Sequence, residues 1–307
     1  MTETQVPSRN PLVALLVAIR PRQWLKNVLV FAAPFAAGAI TEVPVLLDTL
    51  GAFVAFCLVS SATYLVNDAR DVELDRAHPV KRARPLAAGH ITIPVALGSA
   101  LVLALAGLVL AWLIRPELAG VVVAYLICTT AYSLLLKHEP VIELGLLAMG
   151  FLLRAIAGGV ASELPISQWF LIVAGFGSLF MAAGKRFSEL ERSSGTSAVE
   201  ASPTQPTPRR RSLDGYTVGF LRFTWAIAAA VTISAYCLWA FEVGQSPSSF
   251  PWAAWSIVPF VLAILRYAIV IDRGRAEAPE DAVFADRGLL TLGAIWLVLF
   301  TLGTMGL

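Results

Sequence analysis

Apolar stretches long enough to cross a lipid bilayer recur from one end of this chain to the other. They constrain its fold more than any other feature. They are read as nine spans, at roughly 23–40, 45–66, 91–114, 117–136, 141–161, 167–187, 216–241, 252–271 and 288–306. At 1.5 Å per residue, about 20 residues of helix traverse a hydrocarbon core about 30 Å thick. Lipid offers no partner to a bare N–H or C=O, so each segment must satisfy its backbone internally, which selects helices over open sheets. Composition agrees: 57% of residues are hydrophobic and 14% are charged, against about 25% charged in a soluble domain. The expected fold is all-α and polytopic, with nine transmembrane helices and residues 1–307 in a single membrane domain. Residues 10–22 read as an amphipathic helix lying at the surface. A cleaved leader is not expected, because the apolar run at Pro11–Ile19 is short and the hydrophobic pattern resumes at once. Cys57, Cys128 and Cys237 fall within apolar runs without metal-ligand spacing and read as small core residues.

The basic residues are distributed unevenly. Arg154, Arg222 and Arg266 fall within spans, and Arg115 lies in a loop on one side. The remaining Lys and Arg residues lie at or beyond span ends on the opposite side. The positive-inside bias makes that side cytoplasmic, together with the N-terminus. The Ser/Thr/Pro-rich segment 192–213 reads as a disordered cytoplasmic loop, its Arg209, Arg210 and Arg211 resting on anionic headgroups.

One loop does not match its apolar surroundings: "YLVNDARDVELDRAHPVKRARP", residues 64–85. If the preceding helix continues, Asp68, Asp71 and Asp75 stand at i, i+3 and i+7, within an arc of about 60°. Clustered carboxylates repel one another, so a cation is expected between them. With Asn67 they form a set of hard oxygen donors, which favours Mg²⁺ or Mn²⁺ over Zn²⁺. Mg²⁺ characteristically shares its shell between one or two carboxylates and substrate phosphates. Lys81, Arg82 and Arg84 follow within the same loop, with His78 nearby. Residues 67–90 therefore read as a catalytic cytoplasmic loop for a metal–diphosphate substrate, with Asp68, Asp71 and Asp75 as its catalytic carboxylates. Glu73 lies off the stripe. Tyr64, three residues before Asn67, shares its face and either binds phosphate or packs.

"NDARDVELD" resembles the N-D-x-x-D-x-x-x-D signature of the UbiA superfamily of intramembrane prenyltransferases. That resemblance implies a nine-span bundle around a central cavity open to the cytoplasmic side, and Mg²⁺-assisted ionisation of a diphosphate. Where typical members carry a second aspartate-rich motif, this chain has "GKRFSELE", which replaces acid with base. Longer stretches, among them "IRPRQWLKNVLVFAAP", "LKHEPVIE", "LLRAIAGGVAS" and "PEDAVFADR", resemble the decaprenyl-phosphate phosphoribosyltransferase family of mycobacteria and relatives.

The resemblance to that family implies transfer of 5-phosphoribose from phosphoribosyl diphosphate to decaprenyl phosphate. The product would be a precursor of cell-wall arabinan, made at the bacterial inner (plasma) membrane. It further implies diphosphate contacts from Lys81 and Arg84, and a 5-phosphate anchor at Lys185 and Arg186. Glu189 would orient Lys185 or accept a ribose hydroxyl. Lys26 and Lys137 either guide the acceptor phosphate or anchor their helices at the interface. Arg154 lies deep in a span, where an arginine is costly and faces a cavity or a partner. Its expected role is substrate binding, with a buried structural pairing as the alternative. An aromatic prenyltransferase of quinone or haem biosynthesis is the competing reading, and a secondary transporter a weaker one, because the charge gathers at one rim. No nucleic-acid partner is expected, and a homo-oligomer is left open.

Overall fold

The computed structural model describes residues 10–193, 213, 215–243 and 250–305, and every regular element among them is helical. The elements are α1 (Pro11–Ala18), a 3-10 stretch (Pro21–Phe31), α2 (Ala32–Ala36), α3 (Val43–Arg70), α4 (Val72–Ala77), α5 (Ile93–Ile114), α6 (Pro116–Ala131), α7 (Ile142–Ala161), α8 (Gln168–Ser193), α9 (Val218–Val243), α10 (Trp252–Asp272), α11 (Pro279–Ala285) and α12 (Arg287–Thr304). A 3-10 turn at Lys81–Ala83 and a π turn at Tyr132–Leu136 complete the set. Among the described residues, eight helices are long and apolar enough to cross a membrane. The protein is a multi-pass membrane protein. Side chains such as Leu101, Val102, Trp112 and Leu113 lie exposed on these helices, as lipid-facing positions must.

The predicted first span, 23–40, is the one that is not a long helix. It forms the 3-10 stretch and the five-residue α2. The causes are local. Pro21 opens the stretch, Pro34 removes a backbone donor, and Gly38 turns the chain with φ +70. Asn27, fully buried midway, needs polar partners that a lipid-facing helix would lack. At the N-terminus, the stretch 10–22 divides into α1 (Pro11–Ala18), with Leu12 and Leu16 exposed, and the start of the 3-10 stretch. Most of the segment 192–213 lies outside the described residues.

The helices cluster into two units. The first comprises Met1–Ala32, Glu42–Ser133 and Leu153–Leu164, and the second Ala33–Thr41, Leu134–Leu152 and Pro165–Leu307. In the first, α3 packs along α5 and also against α6 and the 3-10 stretch. One core gathers Phe56, Val59, Val122, Tyr125 and Ala157. A second, around Leu65, Val72, Leu86 and Ile91, folds the 67–90 segment back onto the end of α3. Packing therefore fixes that segment in place. In the second unit, α8 pairs with α9, and α10 with α12. Phe180, Phe187, Leu221, Tyr267 and Ile271 fill its core.

Helices in lipid gain little from burying apolar surface against one another, so close approach over small residues carries the packing. Gly107 on α5 is such a contact. A Cβ there would stand 2.7 Å from Val59 Cγ1 and 3.0 Å from the Ala55 carbonyl oxygen on α3. Gly107→Leu is expected to push the two helices apart and cost about 1–3 kcal/mol, read as a lower unfolding temperature in detergent. An unchanged temperature would mean that this contact is not a tight one.

Candidate active site

Asn67, Asp68, Asp71 and Asp75 lie at the end of α3 and the start of α4. α3 runs helical to Arg70, and Asp71 bends the chain with φ −92 and ψ 11 before α4 begins. The hydrogen-bond ladder survives the bend: Asp71 N–H donates to the Asn67 carbonyl at 3.0 Å, and Asp75 N–H to the Asp71 carbonyl at 2.8 Å. The backbone ladder therefore runs through the bend, and Asp68 and Asp75 both reach the Arg84 guanidinium. Asp68 and Asp75 are both buried, at 2% and 3% exposure, while Asn67 and Asp71 are half-buried.

Two buried carboxylates this close need positive charge, and arginines supply it. Arg84 Nη1 donates to Asp68 Oδ1 at 3.1 Å and to Asp75 Oδ2 at 2.6 Å. Arg20 Nη2 donates to Asp68 Oδ1 at 2.5 Å, and its guanidinium lies 5.0 Å from the centre of the Tyr64 ring. The Arg84 guanidinium thus bridges Asp68 and Asp75. The donor set, carboxylates with a neighbouring amide, suits a hard divalent ion. Among the described residues no three acidic, His or Cys side chains are yet gathered around one point. A metal would have to share or displace the guanidinium.

The basic half of the loop is folded too. His78 Nδ1 accepts the backbone N–H groups of Val80 and Lys81 at 3.2 and 3.3 Å, which closes the turn that carries Lys81 and Arg84. Glu73 pairs with Arg76 on the outside, as expected of a residue off the stripe. Lys26 stands half-buried in the 3-10 stretch.

The second unit holds a different cluster. Arg186 is buried on α8 and donates from Nε and Nη2 to Glu143 Oε1 and Oε2, both at 2.7 Å. Its Nη1 donates to Glu189 Oε2 at 2.5 Å. Glu143 is fully buried. The sequence reading makes Arg186 a phosphate anchor. In the structure its guanidinium pairs with two glutamates, which supply the anions that a desolvated charge needs. Lys185 and Glu189 are half-buried, as is Lys137 just beyond the π turn. Tyr216 steadies the neighbouring turn: its hydroxyl accepts the Val141 N–H at 2.8 Å, where Val141 adopts a left-handed φ of +67. That conformation is costly for a β-branched residue and needs such support. Burial, with the charge of Glu143 adding to it, pushes the Tyr216 phenol up to about 12. Elsewhere in this unit the hydrogen bond from Arg266 holds the Asp286 carboxyl below its usual range.

Arg154 sits within the first unit as a tie between three elements. Its Nε donates to Asn27 Oδ1 and its Nη2 to the Tyr125 hydroxyl, both at 2.7 Å, and its guanidinium lies 4.6 Å from the Tyr125 ring centre. At 6% exposure, its guanidinium is held by side chains of its own unit. Two participants were not singled out from sequence, Arg20 and Asn27. The signal was available in "IRPRQWLKN", whose polar residues interrupt a stretch otherwise read as membrane-spanning.

All-helical, multi-pass and acidic at the end of one span, the chain has the make-up of an intramembrane transferase. It belongs to the UbiA prenyltransferase family, which matches residues 28–286. The decaprenyl-phosphate phosphoribosyltransferase of Mycobacterium tuberculosis (strain ATCC 25618 / H37Rv) is 47% identical over 295 residues, covering 95% of this chain and 94% of the relative. The protein of the same name from Mycolicibacterium smegmatis is 45% identical over 314 residues, covering 99% and 94%. Among solved structures, a UbiA homolog from Archaeoglobus fulgidus bound to GPP and Mg²⁺ has the same fold. Its TM-score is 0.68 at 16% identity, with 96% of this chain and 100% of that one covered.

Proposed function

We propose that this chain transfers 5-phosphoribose from phosphoribosyl diphosphate to decaprenyl phosphate. The products are decaprenyl-phosphoryl-5-phosphoribose and diphosphate, and the reaction runs at the cytoplasmic face of a bacterial plasma membrane as a step toward cell-wall arabinan. The observation that carries this reading is the buried acidic face at the end of α3, where one cationic group already bridges Asp68 and Asp75. Support comes from near full-length relatives, at 47% and 45% identity, that bear the name of that activity.

Asn67, Asp68, Asp71 and Asp75 would hold Mg²⁺, or Mn²⁺ in its place, and the bound ion would supply Lewis-acid stabilisation to the charge on the departing diphosphate. The Mg²⁺ in the archaeal UbiA homolog is consistent with that assignment. Lys81, on its His78-closed turn, brings an ammonium to the diphosphate oxygens, and Arg84 adds a guanidinium from the same segment. Tyr64, stacked on Arg20, holds that arginine against Asp68. Lys26 is proposed as a phosphate contact in the first unit, and Lys137 and Lys185 in the second. Arg186 is left out of the ligand set, since its donors serve Glu143 and Glu189, and Glu189 is assigned to Arg186.

In the reaction, an oxygen of the acceptor phosphate forms a bond to ribose C1 with its own electron pair. The C1–O bond to diphosphate breaks, and that pair leaves with the diphosphate. The negative charge lost by the acceptor is gained by the leaving group. No proton has to move, and no general base is required of this chain.

The test uses purified full chain, Mg²⁺, decaprenyl phosphate and phosphoribosyl diphosphate labelled in the ribose. Label is expected in the organic-soluble fraction. EDTA should stop the transfer and added Mg²⁺ should restore it. Label that stays in water, while a polyprenyl diphosphate is consumed with an aromatic acceptor, would select the aromatic prenyltransferase reading instead.

A further inference from the structure

We propose that the cleft between α1 and the start of the 3-10 stretch seats the head of the polyprenyl phosphate acceptor. Arg20 and Arg22 hold its phosphate, and Val13, Leu16 and Val17 carry its first isoprene units. The inference rests on the transfer reaction above and adds the acceptor's site to it.

The cleft is shallow and widely open, with room for about 450 Å³. Its two ends differ in chemistry. Val13, Leu16 and Val17 stand at i, i+3 and i+4 on one face of α1, with exposures of 47%, 58% and 44%. The other end is polar, formed by Arg20, Arg22 and Gln23. An apolar slope ending at two guanidiniums complements a lipid whose charge is one compact phosphate, which arginine binds through paired donors.

Arg20 is built into this position. Its backbone lies in the left-handed region, φ 54 and ψ 63, an uncommon conformation for a residue with a side chain. The bend is supported from both sides: Gln23 N–H donates to the Arg20 carbonyl at 2.8 Å, and Ser61 Oγ lies 3.0 Å from the Ile19 carbonyl while accepting the Trp24 indole N–H at 3.0 Å. The result turns the Arg20 guanidinium inward, onto Asp68. A guanidinium carries five donors, so one that holds Asp68 can hold a phosphate with those remaining. The acceptor oxygen would then stand one guanidinium away from the carboxylates proposed to bind the donor's metal. An arginine that only snorkels to headgroups has no need of a strained backbone or a buried carboxylate partner.

The experiment places the full chain in phosphatidylcholine nanodiscs with a diazirine-bearing polyprenyl phosphate and maps the cross-links by mass spectrometry. Cross-links are expected within residues 11–25, and decaprenyl phosphate should compete for them, whereas phosphatidylglycerol, inorganic phosphate and uncharged polyprenol should not. Arg22→Gln should raise the KM for polyprenyl phosphate about tenfold, with the KM for phosphoribosyl diphosphate unchanged. Leu16→Ser, which touches no ion pair, should weaken cross-linking in the same way. Cross-links elsewhere, equal competition by phosphatidylglycerol, or an unchanged lipid KM in Arg22→Gln would each overturn the proposal. Cross-linking reads binding without turnover, and label transfer by the unaltered chain is measured alongside it. Loss of transfer therefore overturns the reaction, and loss of cross-linking overturns the acceptor site.

Discussion

Asp71→Ala is expected to lower the transfer of labelled phosphoribose into lipid by at least about 10²–10³-fold, the scale on which loss of one preorganised charge-stabilising group is felt. Asp71 can be replaced without breaking the backbone of the helix end. Its backbone, not its side chain, carries the ladder through the bend, donating to Asn67 and accepting from Asp75. Alanine keeps that ladder, so the helix end should stay folded. Asp68→Ala would be harder to read, because it leaves both Arg20 and Arg84 without their shared carboxylate. A partial loss should be accompanied by a higher Mg²⁺ requirement in Asp71→Ala. Undiminished transfer at the same Mg²⁺ concentration would remove Asp71 from the proposed metal shell.

Arg186→Met is expected to be among the most destabilising single substitutions in the second unit. Glu143 is fully buried and receives two hydrogen bonds from Arg186. Removing one partner of such a pair costs about 3–5 kcal/mol, because the other charge is left desolvated. Replacing both, in Glu143→Leu with Arg186→Met, should recover most of that loss, since a buried ion pair and a well-packed apolar pair are often near parity. Thermal unfolding in detergent checks both variants. The double variant also decides a functional point. Transfer close to that of the unaltered chain would confine Arg186 to structure. A folded double variant whose KM for phosphoribosyl diphosphate rises more than about tenfold would return Arg186 to the substrate.

What could be read along the chain is what lipid imposes residue by residue. Each membrane-crossing helix is set by its own apolar content and its own backbone bonds, and eight of the predicted spans stand where the sequence places them. The acidic face was legible for the same reason: Asp68, Asp71 and Asp75 belong to one helix end, and their angular relation depends only on 3.6 residues per turn. The stretch at 23–40 departs from one long helix because of Pro34, Gly38 and the buried Asn27, whose conformational effects hydropathy averages over.

The pairings that give the charges their roles were not legible. Arg20 meets Asp68 across 48 residues, Arg186 meets Glu143 across 43, and Arg154 meets Asn27 across 127. Which basic side chain neutralises which acid depends on the rotation of each helix and on which helices adjoin. Those are set by small-residue contacts such as Gly107 on Val59 and by bends such as the one at Arg20. Local sequence therefore determined the helices and the acidic stripe, whose energies are local. Tertiary packing decided that Arg186 meets Glu143, that Arg154 meets Asn27 and Tyr125, and that Arg20 reaches Asp68, because the partner of a desolvated charge is chosen by proximity in space.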